Sequence, residues 1–241
     1  TLFRSSIALG TSFGCALNTD QEIVCWGLGD NGQMGDGMDN SNSAPHSGVI
    51  WEKPGPDAIL TDVLSIAAGD RPLAEMGSRR TGEWSAVAAA RAAFIAGFGA
   101  TSNLEAGHRW GIPTMGTAAH SWTLLHDTEA DAFAAQLRAL GDQTTLLIDT
   151  YDIETGVDTA IRVAGTGLGG VRIDSGDLPI VAAQVRRQLD SLGAHDTRIT
   201  VTSDLDEFAI AALAASPVDA YGVGTALATG SGSPTAGLVY K

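Results

Sequence analysis

From about residue 70 onward, short β-type runs alternate with Ala- and Leu-rich helical stretches, and this alternation restricts the possible folds more than any other feature. Helical patterns fall at 83–97, 128–140, 154–164, 178–192 and 205–215. The β-type runs fall at 112–117, 144–150, 170–174, 198–204, 220–223 and 238–240. Gly141 and Gly193 stand where helices should end, and Ser102 with Glu105 has the spacing of a capping box. Apolar strands separated by helices must be buried on both faces, which calls for a parallel sheet covered by helices. The spacing predicts an α/β fold, most of an eight-stranded β/α barrel, with a doubly wound sheet as the alternative.

The first 70 residues have a different texture and read as a small all-β segment. Strands are expected at 6–17 and 22–26, around the turn-forming Asn18, Thr19 and Asp20. Cys15 and Cys25 lie symmetrically about Asp20, so a hairpin there would set them opposite each other, as a disulfide or as two packed thiols. No other cysteine occurs, which fits a cytoplasmic protein. The expected domains are therefore 1–70 and 71–241.

Charge and hydropathy narrow the function classes. The 241 residues include 14 basic and 28 acidic side chains, a formal net charge of −14. Such a field repels a phosphate backbone, so no nucleic-acid partner is expected. Any phosphate site must rest on clustered arginines, backbone N–H groups or Mg²⁺. The most apolar helical stretch, 86–98, is interrupted by Arg91 and too short to cross a bilayer, so no membrane partner is expected either.

The polar residues recur at one place in each βα unit. Asp149, Asp174 and Asp204 each end a β-type run and precede a helix, so they should gather at the C-terminal rim of the sheet, where barrel enzymes build their sites. A single strand-ending Asp is commonly an N-cap. Three in succession, one of them flanked by Arg172, Ser175 and Asp177, suit Mg²⁺ or a ribose hydroxyl pair. Gly222, Gly224 and Thr225 follow a late strand, and a Gly-rich loop running on to Pro234 could cradle a phosphate. Arg79 and Arg80 precede a helix start and could hold an anion. His120 follows small residues after a short run, which would leave its imidazole accessible at a strand end. His46, His108, His126 and His195 have no metal-ligand spacing and read as surface or structural.

Two families share these motifs. The segments 7–10, 15–17, 24–27 and 31–37, with 65–69 opening a further unit, resemble one repeat of the regulator-of-chromosome-condensation propellers. Only one repeat is found, and a lone blade lacks the neighbours that bury its faces. From about Arg71 onward, the motifs 75–80, 99–103, 116–121, 149–152, 172–177 and 221–225 resemble, in order, those of nicotinate phosphoribosyltransferases.

The second resemblance implies a type II phosphoribosyltransferase-like barrel that joins nicotinate to phosphoribosyl pyrophosphate in NAD biosynthesis, with ATP as co-substrate, Mg²⁺ as cofactor and a homodimer as the assembly. It implies that His120 is the phosphorylated histidine and that Thr117 and Arg172 hold the nicotinate carboxylate. Arg79 would lie near base and phosphates, and Asp149 and Asp174 near the ribose, Mg²⁺ or developing positive charge. Gly224 and Thr225 would form the 5′-phosphate cradle, with Gly222, Ser203 and Asp204 beside it. The family's N-terminal Asp-x-Tyr segment is not found, and the chain opens at Thr1 and stops at Lys241. Little or no turnover is therefore expected of this chain, as of a truncated core. The competing expectations are a propeller-repeat interaction module fused to a degenerate barrel, and a quinolinate-type phosphoribosyltransferase, against which His120 argues.

Overall fold

A computed structural model describes residues 67–229 with Leu64, and the backbone of four strands upstream of them. Those four strands are β1 (Ile7–Leu9), β2 (Phe13–Leu17), β3 (Ile23–Gly27) and β4 (His46–Trp51), paired antiparallel in the order β1-β2-β3-β4. Cys15 and Cys25 are register partners, as their symmetry about Asp20 predicts. The run expected at 6–17 is two strands: Ile7 pairs with Ala16 and Leu9 with Gly14, so the chain reverses between them. β4 falls in a stretch where no strand is expected.

The remaining described residues form a parallel sheet of six strands with helices between them. The strands are β5 (Leu73–Glu75), β6 (Ala100–Thr101), β7 (Thr145–Leu147), β8 (Gly170–Ile173), β9 (Arg198–Val201) and β10 (Ala220–Val223). The helices are α1 (Glu83–Ile95), α2 (Leu104–Trp110), α3 (His120–Leu124), α4 (Glu129–Leu140), α5 (Ile153–Ala164), α6 (Leu178–Ser191), α7 (Glu207–Ala212) and α8 (Thr225–Thr229). A 3-10 turn at Ser78–Arg80 precedes α1.

Strand order is β6-β5-β10-β9-β8-β7, every pairing parallel. The last strand of the series hydrogen-bonds the first, and the rest follow in chain order on either side. That is the cyclic order of a β/α barrel cut between β6 and β7, not the outward winding of a doubly wound sheet. Among the described residues the sheet is a curled half-barrel.

The core lies between this sheet and its outer helices. Val171, Ile173, Ile199, Val201, Tyr221 and Val223 supply the strand side, fully or almost fully buried. Phe133, Val157, Ala160, Ile161, Val185 and Leu189 supply the helix side. Val157, Ala160 and Ile161 share one face of α5 because their spacing matches the helical repeat. Gly156 lets that helix press on the sheet: a Cβ there would stand 2.2 Å from the Ile148 carbonyl oxygen.

Several sequence expectations change at this level. The run at 112–117 reduces to one parallel bridge, Thr101 to Thr114, because Pro113 has no N–H to extend a ladder. β5 and β6 were unforeseen, being only three and two residues long. The capping box shifts by one residue: Asn103, not Ser102, caps α2, accepting from the Ala106 N–H at 2.8 Å, while Glu105 pairs with Arg109. The run at 238–240 lies outside the described residues.

Candidate active site

Each strand delivers its polar residues at its C-terminal end. Asp149 follows β7, Asp174 follows β8, and Thr202, Ser203 and Asp204 follow β9. None of the three predicted carboxylates caps the next helix. Asp152, Asp177 and Asp206 do that, accepting from Thr155, Ile180 and Ala209 N–H groups. Asp149, Asp174 and Asp204 are thus left for other partners.

Asp149 is buried, and both its oxygens are engaged. Oδ1 faces Nε2 of His120 at 3.2 Å; Oδ2 accepts from the Asp174 N–H at 2.9 Å and the Ser175 hydroxyl at 2.6 Å. His120 opens α3 and does not sit at a strand end, and its side chain is mostly covered.

Arg172 points to the same rim. It donates to the hydroxyl of Thr117, to the Ala118 carbonyl at 3.3 Å and, through Nε, to the Thr202 hydroxyl at 2.8 Å. It also pairs with Asp174 at 3.3 Å, and Thr202 donates to the same carboxylate oxygen. An unbroken set of contacts therefore runs from His120 through Asp149 and Asp174 to Arg172 and Thr117.

Beside this set lies a cleft of about 240 Å³ whose lining includes Arg79, Arg80, Arg172, Asp174, Asp204 and Thr225. Ser203, Gly222 and Gly224 belong to the same wall, as do Met76 and Thr202. Arg79 and Arg80 make no side-chain hydrogen bond or ion pair among the described residues, so both guanidiniums can meet an anion. Ser203 and Asp204 adopt φ of 85° and 29°, a backbone region costing roughly 1–3 kcal/mol per non-glycine residue. The Thr225 hydroxyl donates to Asp204 at 2.9 Å and ties that turn to the β10 loop. Gly222 and Gly224 are needed for close approach. A Cβ on Gly222 would meet Met76 Sδ and Thr202 Cγ2 at 2.7 Å, and one on Gly224 the Met76 carbonyl oxygen at 2.9 Å. The loop's expected continuation at 230–234 lies outside the described residues.

The cleft thus unites Arg79, Arg172, Asp174, Ser203, Asp204, Gly222, Gly224 and Thr225. His120, Asp149 and Thr117 join through hydrogen bonds and do not line it. Sequence reading gives Thr202 no role of its own and marks Ser175 only as a neighbour of Asp174, whereas Ser175 bonds Asp149 and Thr202 bonds Arg172 and Asp174. It also passed over Glu129, an unremarked acid in the first turn of α4. Burial, then the neighbouring Asp149 and Asp152 carboxylates, push the Glu129 carboxyl up to about 7, and its Oε1 has no hydrogen-bond partner. The other histidines behave as expected where described: His126 bonds the Trp122 carbonyl and lies tilted against the Trp122 ring, and His195 faces Asp190. His46 lies in β4, whose side chains are outside the description.

The expected Mg²⁺ finds no protein cage. Among the described residues no three His, Cys, Asp or Glu side chains converge as a metal site, and the oxygens of Asp149 are already taken. No helix among them is long and apolar enough to cross a membrane.

Both parts of the chain are similar to known proteins. The model of the regulator of chromosome condensation (RCC1) repeat matches residues 5–33. A nicotinate phosphoribosyltransferase of Mycobacterium tuberculosis is 62% identical over 183 residues, covering 73% of this chain and 41% of that protein. The chain therefore spans about two fifths of that relative's length. The crystal structure of a nicotinate-nucleotide pyrophosphorylase from Pyrococcus furiosus superposes with a TM-score of 0.67 at 25% identity, covering 76% of this chain and 56% of that one. That of human nicotinic acid phosphoribosyltransferase gives 0.59 at 25% identity, covering 68% and 46%. Over the matched 73% of the chain, its curled α/β half-barrel and 62% identity make it similar to nicotinate phosphoribosyltransferases.

Proposed function

We propose that residues 71–241 are the core of an enzyme that joins nicotinate to phosphoribosyl pyrophosphate with coupling to ATP, and that residues 1–70 are a separate repeat. In this reaction the pyridine nitrogen bonds to C1 of the ribose as the C1–O bond breaks and pyrophosphate leaves with the bonding electrons. The charge that develops on C1 is positive and transient, so positioning and electrostatics dominate the catalysis.

The observation supporting this reading is the continuous contact from His120 to the arginine-lined cleft. Arg172 and Thr117 would hold the nicotinate carboxylate. The guanidinium fork suits a planar carboxylate better than an ammonium could. Arg79, with Arg80 beside it, would face the phosphates. Gly222, Gly224 and Thr225 would approach the 5′-phosphate, with Ser203 and Asp204 completing that wall. Asp174 would face the ribose.

His120, held by Asp149, would take the γ-phosphoryl group of ATP, releasing ADP, and lose it to water as phosphate. Any Mg²⁺ would arrive with the pyrophosphate groups of the substrates, since Mg²⁺ commonly uses few protein carboxylates and several phosphate oxygens. A homodimer and a cytoplasmic location belong to the same reading.

The test uses the chain with γ-labelled ATP, nicotinate and phosphoribosyl pyrophosphate, scoring acid-labile protein phosphate and nicotinate mononucleotide, alongside His120→Ala. Label in the wild-type chain and none in the variant is expected. Equal labelling of both would remove His120 from the reaction.

A further inference from the structure

Glu75 is buried at the end of β5, and no role described above uses it. It does not line the cleft. Its two oxygens serve two different partners: Oε1 accepts from the Gly77 N–H, and Oε2 accepts from the Thr101 hydroxyl. That hydroxyl accepts in turn from the Asn103 N–H at 3.0 Å. The Asn103 side chain then does two things: Oδ1 caps α2 at Ala106, and Nδ2 donates to the Ser78 hydroxyl at 3.0 Å. The contacts return to the segment they left, because Gly77 and Ser78 are adjacent. Inside that circuit sits the 3-10 turn that presents Arg79 and Arg80, closed by Arg80 N–H to the Gly77 carbonyl at 2.8 Å.

The turn also bears on the opposite wall. A Cβ on Gly77 would stand 2.8 Å from both the Gly224 carbonyl oxygen and Ala228 Cβ, so the two segments already touch. Met76 N–H donates to the Val223 carbonyl at 2.7 Å, fixing the same junction one residue earlier. From this geometry we infer that Glu75 is a positioning residue: acting through the Gly77 N–H and the Thr101–Asn103–Ser78 chain, it holds the Arg79–Arg80 turn against the Gly224 loop so that both walls meet one phosphorylated ligand.

A carboxylate suits this place because it is acceptor-only at both oxygens. Glutamine would offer the Gly77 N–H a neutral, weaker amide oxygen or, flipped, an opposing donor, and in the first orientation the Thr101 hydroxyl proton would lose its acceptor. The circuit would lose a link while side-chain volume stayed the same. The ligand class rests on the phosphoribosyl reading above; the grip of Glu75 on the turn does not.

The experiment separates the two on the full chain. Amide hydrogen exchange is followed at residues 77–80 in wild type, Glu75→Gln, Thr101→Val and Thr101→Ser. Exchange at Gly77 should quicken about tenfold or more in Glu75→Gln and Thr101→Val, with β8 and β9 unchanged. Thr101→Ser, which keeps the hydroxyl, should exchange like wild type. Calorimetry should show phosphoribosyl pyrophosphate binding about tenfold weaker in the first two variants, with nicotinate binding unchanged and Thr101→Ser again like wild type. A merely structural role would lower the melting temperature and weaken both ligands together, and that pattern overturns the inference. Unchanged exchange at Gly77 overturns it as well. If the wild-type chain binds no phosphoribosyl pyrophosphate, the proposed function fails, and the exchange arm still decides the role of Glu75.

Discussion

Nε2 of His120 lies 3.2 Å from Oδ1 of Asp149, while the other oxygen of that carboxylate is fixed by the Asp174 N–H and the Ser175 hydroxyl. With an ionised carboxylate, which can only accept, this contact is a hydrogen bond when Nε2 carries the proton, and Nδ1 is then the nitrogen left to react. If His120 is the phosphoryl acceptor, Nδ1 is the expected attachment point. Asp149→Asn should slow labelling by about 10²-fold or more, because the tautomer and ring orientation are no longer imposed. Phosphorus NMR of the denatured labelled protein identifies the nitrogen, and attachment at Nε2 would contradict the geometry.

Arg172→Lys tests the fork. Arginine reaches Thr117, the Ala118 carbonyl, Thr202 and Asp174 from one planar group; an ammonium cannot span all four. Nicotinate binding should weaken by roughly 10–100-fold, equivalent to about 1.5–3 kcal/mol for hydrogen bonds to a charged group. Calorimetric titration measures it. A change below twofold would remove Arg172 from the carboxylate site.

Glu129→Gln should reshape the pH dependence of stability. A carboxyl raised from 4.5 to about 7 in the folded state holds its proton longer there than in the unfolded chain. It therefore favours folding below about pH 4.5, and that advantage fades as pH rises through about 7. The variant should match wild type at pH 4–5 and exceed it above pH 7. The expected gain is about 1 kcal/mol after discounting for the partial exposure of the group. Thermal melts across pH 4–8 measure it, and parallel curves for the two proteins would refute the assignment.

Gly156→Ala should be costly although alanine is the better helix former. The added Cβ would fall 2.2 Å from the Ile148 carbonyl oxygen, forcing α5 off the strand end that precedes Asp149. Overpacking of this kind costs about 1–3 kcal/mol. Urea unfolding gives the loss directly, and a neutral or stabilising result would mean that the contact is soft.

Much of the fold was legible because the burial pattern is periodic. The helices at Glu83–Ile95, Glu129–Leu140, Ile153–Ala164 and Leu178–Ser191 lie within a residue or two of their sequence spans, the last three because their apolar faces repeat at helical spacing and the first because it is Ala-rich throughout. β5, β6 and α3 were not legible. Elements of two to five residues show no period, and their strandness or helicity comes from neighbours across the sheet or along the rim. The strand-ending aspartates could be named from sequence, but whether each capped a helix could not. Only the structure assigns the caps to Asp152, Asp177 and Asp206 and leaves Asp149 to His120.

The sequence by itself determined the alternation of strand and helix, the hairpin register of Cys15 and Cys25, and the residue types at the end of each strand. Those follow from local periodicity and from turn chemistry, which neighbouring residues dictate. Tertiary structure decided that β10 pairs with β5, bringing Arg79 and Gly224 to one cleft from opposite ends of the core. It also decided that Glu129 lies near Asp149, where lost solvent and like charge raise its carboxyl. Both depend on contacts between residues far apart in the chain, and no local pattern encodes which distant carboxylate or carbonyl will face a given side chain.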